Sequence, residues 1–281
     1  MTNSILFTNA QLIDGSLVDI AVENGRISWI GKPSLSPVAC ETKTELSGYV
    51  VAASFVEPHA HLDKSFLADR ISNPAGDLMG AIRGLEEVRT TITHKDIVER
   101  ATRAVKLMSR NGVTSIRTHA DTTLSGGLSS VLALLEVKRN CAHFMDIQVA
   151  MLLEWPVTGT AGKERQTLAR EAVAAGVDVI GGCPHLDPDP RGAVEFLLAL
   201  AIDAQLPLDL HADENMRTDS SDLEHLADVV IRQNVSHPMN ASHCVSLSTR
   251  PEADIDRIAA KVAQAGITVT ALPQTNLFLQ E

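Results

Sequence analysis

The sequence has few cysteines, no long apolar run and no surplus of basic residues, and each shortage removes a class of protein. Its four cysteines, Cys40, Cys141, Cys183 and Cys244, are widely spread with no CxxC pair, which suits reduced thiols better than a disulfide framework. Cys183 and Cys244 fall near strand ends, where a small buried hydrophobe is the ordinary role. No stretch of about 18 apolar residues is present. The start, Met1-Thr2-Asn3-Ser4, lacks the charged region and apolar continuation of a secretion signal, so the expected location is the cytoplasm, with no membrane partner. A formal charge of −11 argues against a nucleic-acid surface, which needs a basic stripe, and leaves a small neutral or cationic substrate compatible. What remains is 281 residues, 44% hydrophobic and 21% charged, enough for a large domain with a small one beside it.

Residues 1–49 read as a small β-domain, with short strands at Ile5–Phe7, Leu12–Gly15, Val18–Val22 and Arg26–Gly31. Asn24-Gly25 between the last two accepts positive φ and folds a hairpin. From residue 50 to 281 strand and helix alternate. Strand candidates are 50–56, 113–119, 145–153, 177–182, 207–212, 239–244 and 267–272, with helical stretches such as Asp96–Asn111, Glu164–Ala175 and Ala253–Gly266 between them. Gly112, Gly176 and Gly266 stand at or just past helix ends. Near-continuous apolar strands are the sign of parallel strands covered on both faces. The expected architecture is a (β/α)8 TIM-type barrel, of which this chain covers about seven units.

The polar residues gather at the carboxyl ends of those strands, the rim where a barrel keeps its chemistry. His59-x-His61 closes the apolar run that starts at Val50, and side chains alternate with period two, so both imidazoles face one side and one metal ion can take both. Further along come Arg117-Thr118-His119-Ala120-Asp121, Glu154-Trp155-Pro156, Cys183-Pro184-His185, His211-Ala212-Asp213-Glu214, Ser242-His243 and Gln274-Thr275-Asn276. Neutral imidazoles leave a bound ion Lewis acidic, able to activate water for attack on an amidine-like carbon. A partly dry carboxyl such as Glu214 suits proton transfer to a ring nitrogen, and it equally suits a capping role on the following turn. His119 and Asp121 read either as supports behind the ligands or as plain structure, and Asp63-Lys64 as an ion pair below the site. His185 either touches substrate or braces the rim. His94, His143, His225 and His237 read as solvated.

These motifs, in this order, resemble the amidohydrolase superfamily and, within it, the bacterial cytosine deaminase branch. The likeness runs from about residue 4 to the end, through Phe55–Lys64, Arg117–Asp121, Gly181–His185, His211–Glu214 and Ala241–Cys244. It implies a metal-dependent hydrolase that attacks a C–N bond of a small N-heterocycle and releases ammonia or an amine. It assigns one divalent ion, zinc or iron, to His59, His61 and His211. It gives Glu214 the proton shuttle, His243 the steadying of water or developing charge, and Leu78 an apolar substrate contact, with His185 taken as a second substrate contact. The two-metal relatives use a lysine near the fourth strand's end; residues 177–190 contain none, which points to one metal. Alternatives within the same resemblance are a cyclic-amide hydrolase and a non-catalytic metal- or ligand-binding remnant.

Two departures qualify the likeness. Cytosine deaminases carry a glutamine after the third strand that reads the pyrimidine edge; Val157 stands at that place in Glu154–Gly159 and forms no such bonds, which points to a triazine, a pterin or another aminopyrimidine in place of cytosine. Family members also continue through an eighth strand ending in an aspartate that binds the metal, whereas this chain stops after the seventh strand candidate. The expectation is an open seam between the first and seventh strands, closed by further chain or by a partner such as a second copy in a homo-oligomer, or left open in a shortened gene.

Overall fold

The computed structural model describes residues 4–279 and divides into two compact units between Ser54 and Phe55. The first unit is one sheet of β1 (Ser4–Leu12), β2 (Leu17–Glu23), β3 (Arg26–Gly31), β4 (Thr42–Glu45) and β5 (Val50–Val51). Its order is β3-β2-β1-β4, with β5 also on β1. Asn24 and Gly25 take positive φ and close the β2–β3 hairpin as expected. Leu12–Gly15, expected as strand, is instead the end of β1 and a turn, where the Asp14 carboxylate accepts from the Ser16 amide and hydroxyl. Asp19 is buried and accepts from the backbone of Asn9 and Ser34, at 2.9 and 2.8 Å, which holds the β1 bulge. The expected division at 49/50 moves to 54/55, because Val50 and Val51 pair with Gln11 and Leu12. The apolar run before His59 therefore serves two sheets.

The second unit alternates strand and helix: β6 (Phe55–Ala60), α1 (Leu78–Val88), α2 (His94–Arg110), β7 (Val113–Thr122), α3 (Ser129–Cys141), β8 (Asp146–Leu153), α4 (Lys163–Ala175), β9 (Ile180–Gly182), α5 (Pro190–Ala204), β10 (Leu208–Ala212), α6 (Asp222–Gln233), β11 (Met239–His243), α7 (Glu252–Ala265), β12 (Thr268–Thr270) and α8 (Pro273–Leu279). The strands are all parallel and in sequential order from β6 to β12. α4 and α7 end on Gly176 and Gly266 in the left-handed region, and Gln205 and Asn234 do the same for α5 and α6.

β10 and β11 are buried at every position, as parallel strands between helices must be. Leu208, Leu210, Ile180, Met151 and Leu134 anchor the core, each contributing roughly 1.5–3 kcal/mol of burial. Among the described residues β6 pairs only with β7 and β12 only with β11. Phe55, Val56 and Val269 on these two strands are 68%, 62% and 45% exposed. The sheet nevertheless curls almost into a closed barrel, since His59 on β6 reaches Ser242 on β11 at 3.0 Å. No helix among the described residues is long and apolar enough to cross a membrane.

Candidate metal centre

At the carboxyl ends of the strands, His59, His61, His119, His211 and His243 form one cluster, with neighbouring ring centroids 4.2–5.5 Å apart. Possible ligand atoms of His59, His119 and His211 lie within 4.8 Å of one another. His61 Nε2 stands 3.2 Å from His211 Nε2, a spacing that one ion at an ordinary zinc–nitrogen distance of about 2.0–2.1 Å can bridge. The sequence left His119 open between a support behind the ligands and plain structure; the structure brings its ring into the cluster.

The chemistry of the donor set fits a divalent cation. Burial, reinforced by repulsion from His243, Lys64 and Arg117, lowers His59 to about 3. Burial likewise pushes His61, His119 and His211 well below the ordinary 6.5. These rings are neutral near pH 7 and carry lone pairs. Among the described residues, His59 Nε2, both nitrogens of His119, His211 Nδ1 and His243 Nε2 are buried without a hydrogen-bond partner. Buried polar atoms are nearly always satisfied, so a cluster of orphans is the mark of a bound ion.

Lys64 sits beside this cluster, its Nζ 2.5 Å from Asp121 Oδ1, 3.8 Å from Asp63 and 3.1 Å from His61 Nδ1. Burial opposes its charge, but Asp121 and Asp63 outweigh burial and hold its pKa above the ordinary lysine value. An ammonium only donates, so in this arrangement His61 Nδ1 accepts and its Nε2 hydrogen points at His211; an ion held by His61 Nε2 would have to displace that hydrogen.

Glu214 is buried, with Oε1 3.4 Å from His243 Nδ1. Burial raises it to about 8 against the pull of Lys64. The capping role that the sequence allowed for Glu214 falls to its neighbour. Asp213 accepts from the amides of Asp222 and Leu223, at 2.8 and 3.0 Å, and from Ser220 Oγ, at 2.8 Å, and so caps α6. Asp213 has φ +52 and His243 φ +72, left-handed turns that bend the chain sharply off β10 and β11.

A cavity of about 450 Å³ opens onto His61, His211, Glu214 and His243. Leu78, Ile82 and Leu85 of α1 supply an apolar wall, and Glu86, Arg89, Glu154 and Trp155 line other parts. α1 was not among the expected helices. Its start is fixed by Asp77, which accepts from the Gly80 amide at 2.6 Å. Leu78, at the start of α1, lines the cavity. His185 is absent from the lining, and its Nδ1 meets the His211 carbonyl at 3.0 Å, so it braces the end of β10. Val157 is also off the cavity, buried with its amide donating to Asp187. The cavity residues of that segment are Glu154 and Trp155. His225 and His237, expected in solvent, are half-buried and meet Glu195 and the Leu206 carbonyl; His94 pairs with Glu136 and His143 is exposed.

Beneath the imidazoles lies a polar layer that the sequence reading missed. Arg117 on β7 donates to Asp209 on β10 at 2.7 Å across the barrel interior, and Asn240 and Ser242 on β11 join the same carboxylate. Its signal was available: Arg117/His119/Asp121, Asp209/His211, Asn240/Ser242 and Thr268/Thr270 are polar at alternate positions of apolar strands.

Residues 50–281 match the model described as the amidohydrolase family. The chain is 28% identical over 266 residues to a pterin deaminase of Rhizobium rhizogenes, covering 94% of this chain and 60% of the relative. It is 24% identical to an N-isopropylammelide isopropyl amidohydrolase of Pseudomonas sp. strain ADP, covering 94% and 66%. The chain thus spans only about two thirds, or less, of these relatives' length. Among solved structures, a 5-methylcytosine deaminase from Klebsiella pneumoniae, liganded with phosphonocytosine, superposes with a TM-score of 0.88 at 28% identity, covering 99% of this chain and 68% of that one.

Proposed function

The chain belongs to the amidohydrolase family, and from that premise we propose that it carries the metal centre of a hydrolase that cleaves a C–N bond of a small N-heterocycle and releases ammonia or an amine. The observation that carries the proposal is the meeting of neutral imidazoles that keep buried, unpartnered nitrogens with a carboxyl raised by burial on one apolar-walled cavity. His59, His61 and His211 are the proposed holders of one ion, zinc or iron. Bound there, it supplies the Lewis acidity that activates water near neutral pH.

The protein's own residues do the rest. Glu214, raised to about 8, is protonated at pH 7 and has a hydrogen to give to a ring nitrogen; once ionised it takes one up for the departing amine. His243 donates Nδ1–H to Asn276 Oδ1 at 3.0 Å, which leaves Nε2 as an acceptor for a hydrogen of the attacking water. Leu78, Ile82 and Leu85 cover a planar ring and exclude solvent from it. His185 acts through the His211 backbone as a positioning residue.

The likeness to a pterin deaminase and a 5-methylcytosine deaminase supports an amino-substituted pyrimidine ring, alone or fused, as the substrate. A cytoplasmic location and a homo-oligomeric state belong to the same proposal. The test is ammonia or amine release from a panel of aminopyrimidines, pterins and alkylaminotriazines with zinc or ferrous iron supplied. Turnover that chelation stops and metal restores is expected, and His211→Ala should lose both metal and activity. Silence across the panel in metal-loaded protein would refute the hydrolase reading.

A further inference from the structure

We infer that Ser242, held by Asp209 and Asn240, fixes the tautomer of His59 so that its Nε2 lone pair is presented for metal before any ion arrives. The inference rests on His59 being a metal ligand, and it makes Ser242 and Asp209 positioning residues for metal capture.

The hydrogen positions follow from counting donors. Asp209 is a fully buried carboxylate and only accepts. Its Oδ2 takes Arg117 Nη1 at 2.7 Å, and its Oδ1 takes Asn240 Nδ2 at 2.8 Å and Ser242 Oγ at 2.9 Å. The single hydrogen of Ser242 is thereby committed to Asp209. Asn240 Nδ2 also lies 3.0 Å from Ser242 Oγ, so the hydrogen it gives Asp209 is shared with a lone pair of that hydroxyl. The Asn240 amide cannot turn over, because a flip would set oxygen against the Asp209 carboxylate, and as it stands its Oδ1 receives the Thr270 hydroxyl at 3.0 Å and shares that of Thr268, 2.9 Å away, with the Met239 carbonyl. Ser242 Oγ has only a lone pair left for His59 Nδ1, 3.0 Å away. Nδ1 must therefore carry the hydrogen, and Nε2 is bare. That nitrogen is the one buried without a partner.

His61 differs. Its Nδ1 meets the Lys64 ammonium, which leaves the hydrogen on Nε2. The lone pair of His59 Nε2 is thus set in advance by its surroundings, through six side chains drawn from β7, β10, β11 and β12. Outer partners of this kind typically carry roughly 10–100-fold of metal affinity.

Two measurements test the inference. Nitrogen-15 NMR of histidine-labelled protein, freed of metal with a chelator, should show His59 protonated on Nδ1; protonation on Nε2 overturns the inference without any variant. Zinc affinity by chelator competition should fall roughly 10–100-fold in Ser242→Ala and recover in Ser242→Thr, while the chelated Ser242→Ala protein, though less stable, keeps a cooperative thermal transition. Equal zinc affinity in wild type and Ser242→Ala, within about twofold, overturns the inference. A wild type that binds no zinc overturns the metal-site reading itself, so the two failures are distinct. Should Ser242→Ala not fold, the wild-type NMR result alone decides.

Discussion

Asp213→Asn isolates the residue that aims Glu214 without touching the cavity. Asp213 Oδ1 receives Ser220 Oγ and the Asp222 amide, and Oδ2 receives the Leu223 amide. Asparagine keeps one acceptor oxygen. In its better orientation the new NH2 faces the Leu223 amide, donor against donor, leaving a buried N–H unsatisfied at about 1–3 kcal/mol. The two bonds that survive fall from charge-assisted to neutral strength, about 1 kcal/mol each. The opposing gain is relief of Asp222, which burial first and the Asp213 charge second raise to about 8. At pH 7 Asp222 is already protonated, so little is recovered. The expected loss at pH 7 is about 3–5 kcal/mol. Above pH 8 Asp222 ionises, the wild type suffers two facing carboxylates, and the penalty of the variant should shrink. Urea unfolding of both proteins at pH 7 and pH 9 measures it. A loss under about 1 kcal/mol at pH 7, or a penalty that grows at pH 9, would refute the capping assignment.

Glu214→Gln should lower kcat on an accepted heterocycle by roughly 10²–10⁴-fold and leave zinc stoichiometry at the wild-type value; unchanged turnover would remove Glu214 from the reaction. Stability of the chelated protein should be highest in mildly acidic to neutral solution. His59, at about 3, and His185 and His243, at about 4, are depressed by burial, so their contribution is present above about 6.5 and is lost as pH falls through those values. Glu214 and Asp222 are raised to about 8, so theirs is present below about 4 and is lost as pH rises through 8. Melting temperature against pH should be a dome, and Glu214→Gln should flatten its alkaline side; a steady rise to pH 9 would contradict the assignment. Zinc at 100 times its dissociation constant should stabilise wild type by about 2.7 kcal/mol and His211→Ala far less, read as a shift in melting temperature.

The barrel was legible because its strands are apolar runs of ordinary length closed by polar clusters, the pattern of parallel strands with a functional rim. Boundaries failed where one run served two partners. Val50 to Ala60 is continuous in sequence, yet Val50–Val51 completes the first sheet and Phe55–Ala60 begins the second, and no residue type marks the change. β4, Thr-Lys-Thr-Glu, escaped because all four side chains are exposed and carry no burial pattern. Val157 was aligned by its motif with the place of a reader glutamine, but the chain after β8 turns it inward onto Asp187 and leaves Glu154 and Trp155 on the cavity. Motif position specifies the segment; which side chain faces the ligand depends on backbone turns that a single sequence does not display.

The polar layer shows why the site needs more than its ligands. Two residues of parallel strand advance about 6.6 Å, so each inward i, i+2 pair places one side chain near the rim and one a step deeper. On β10 the pair is His211 above Asp209; on β7 it is Asp121 above His119 above Arg117. The deeper members cannot reach a substrate, yet they are not apolar, although an apolar interior would cost less than a buried carboxylate. Asp209 is tolerated because Arg117 neutralises it and three donors from two strands occupy its oxygens. A carboxylate so fully engaged has one hydroxyl hydrogen to hold in place, that of Ser242, and its orientation decides the face His59 shows above. The deeper layer therefore gives the rim its direction, and a substitution there should alter metal affinity before it alters substrate recognition.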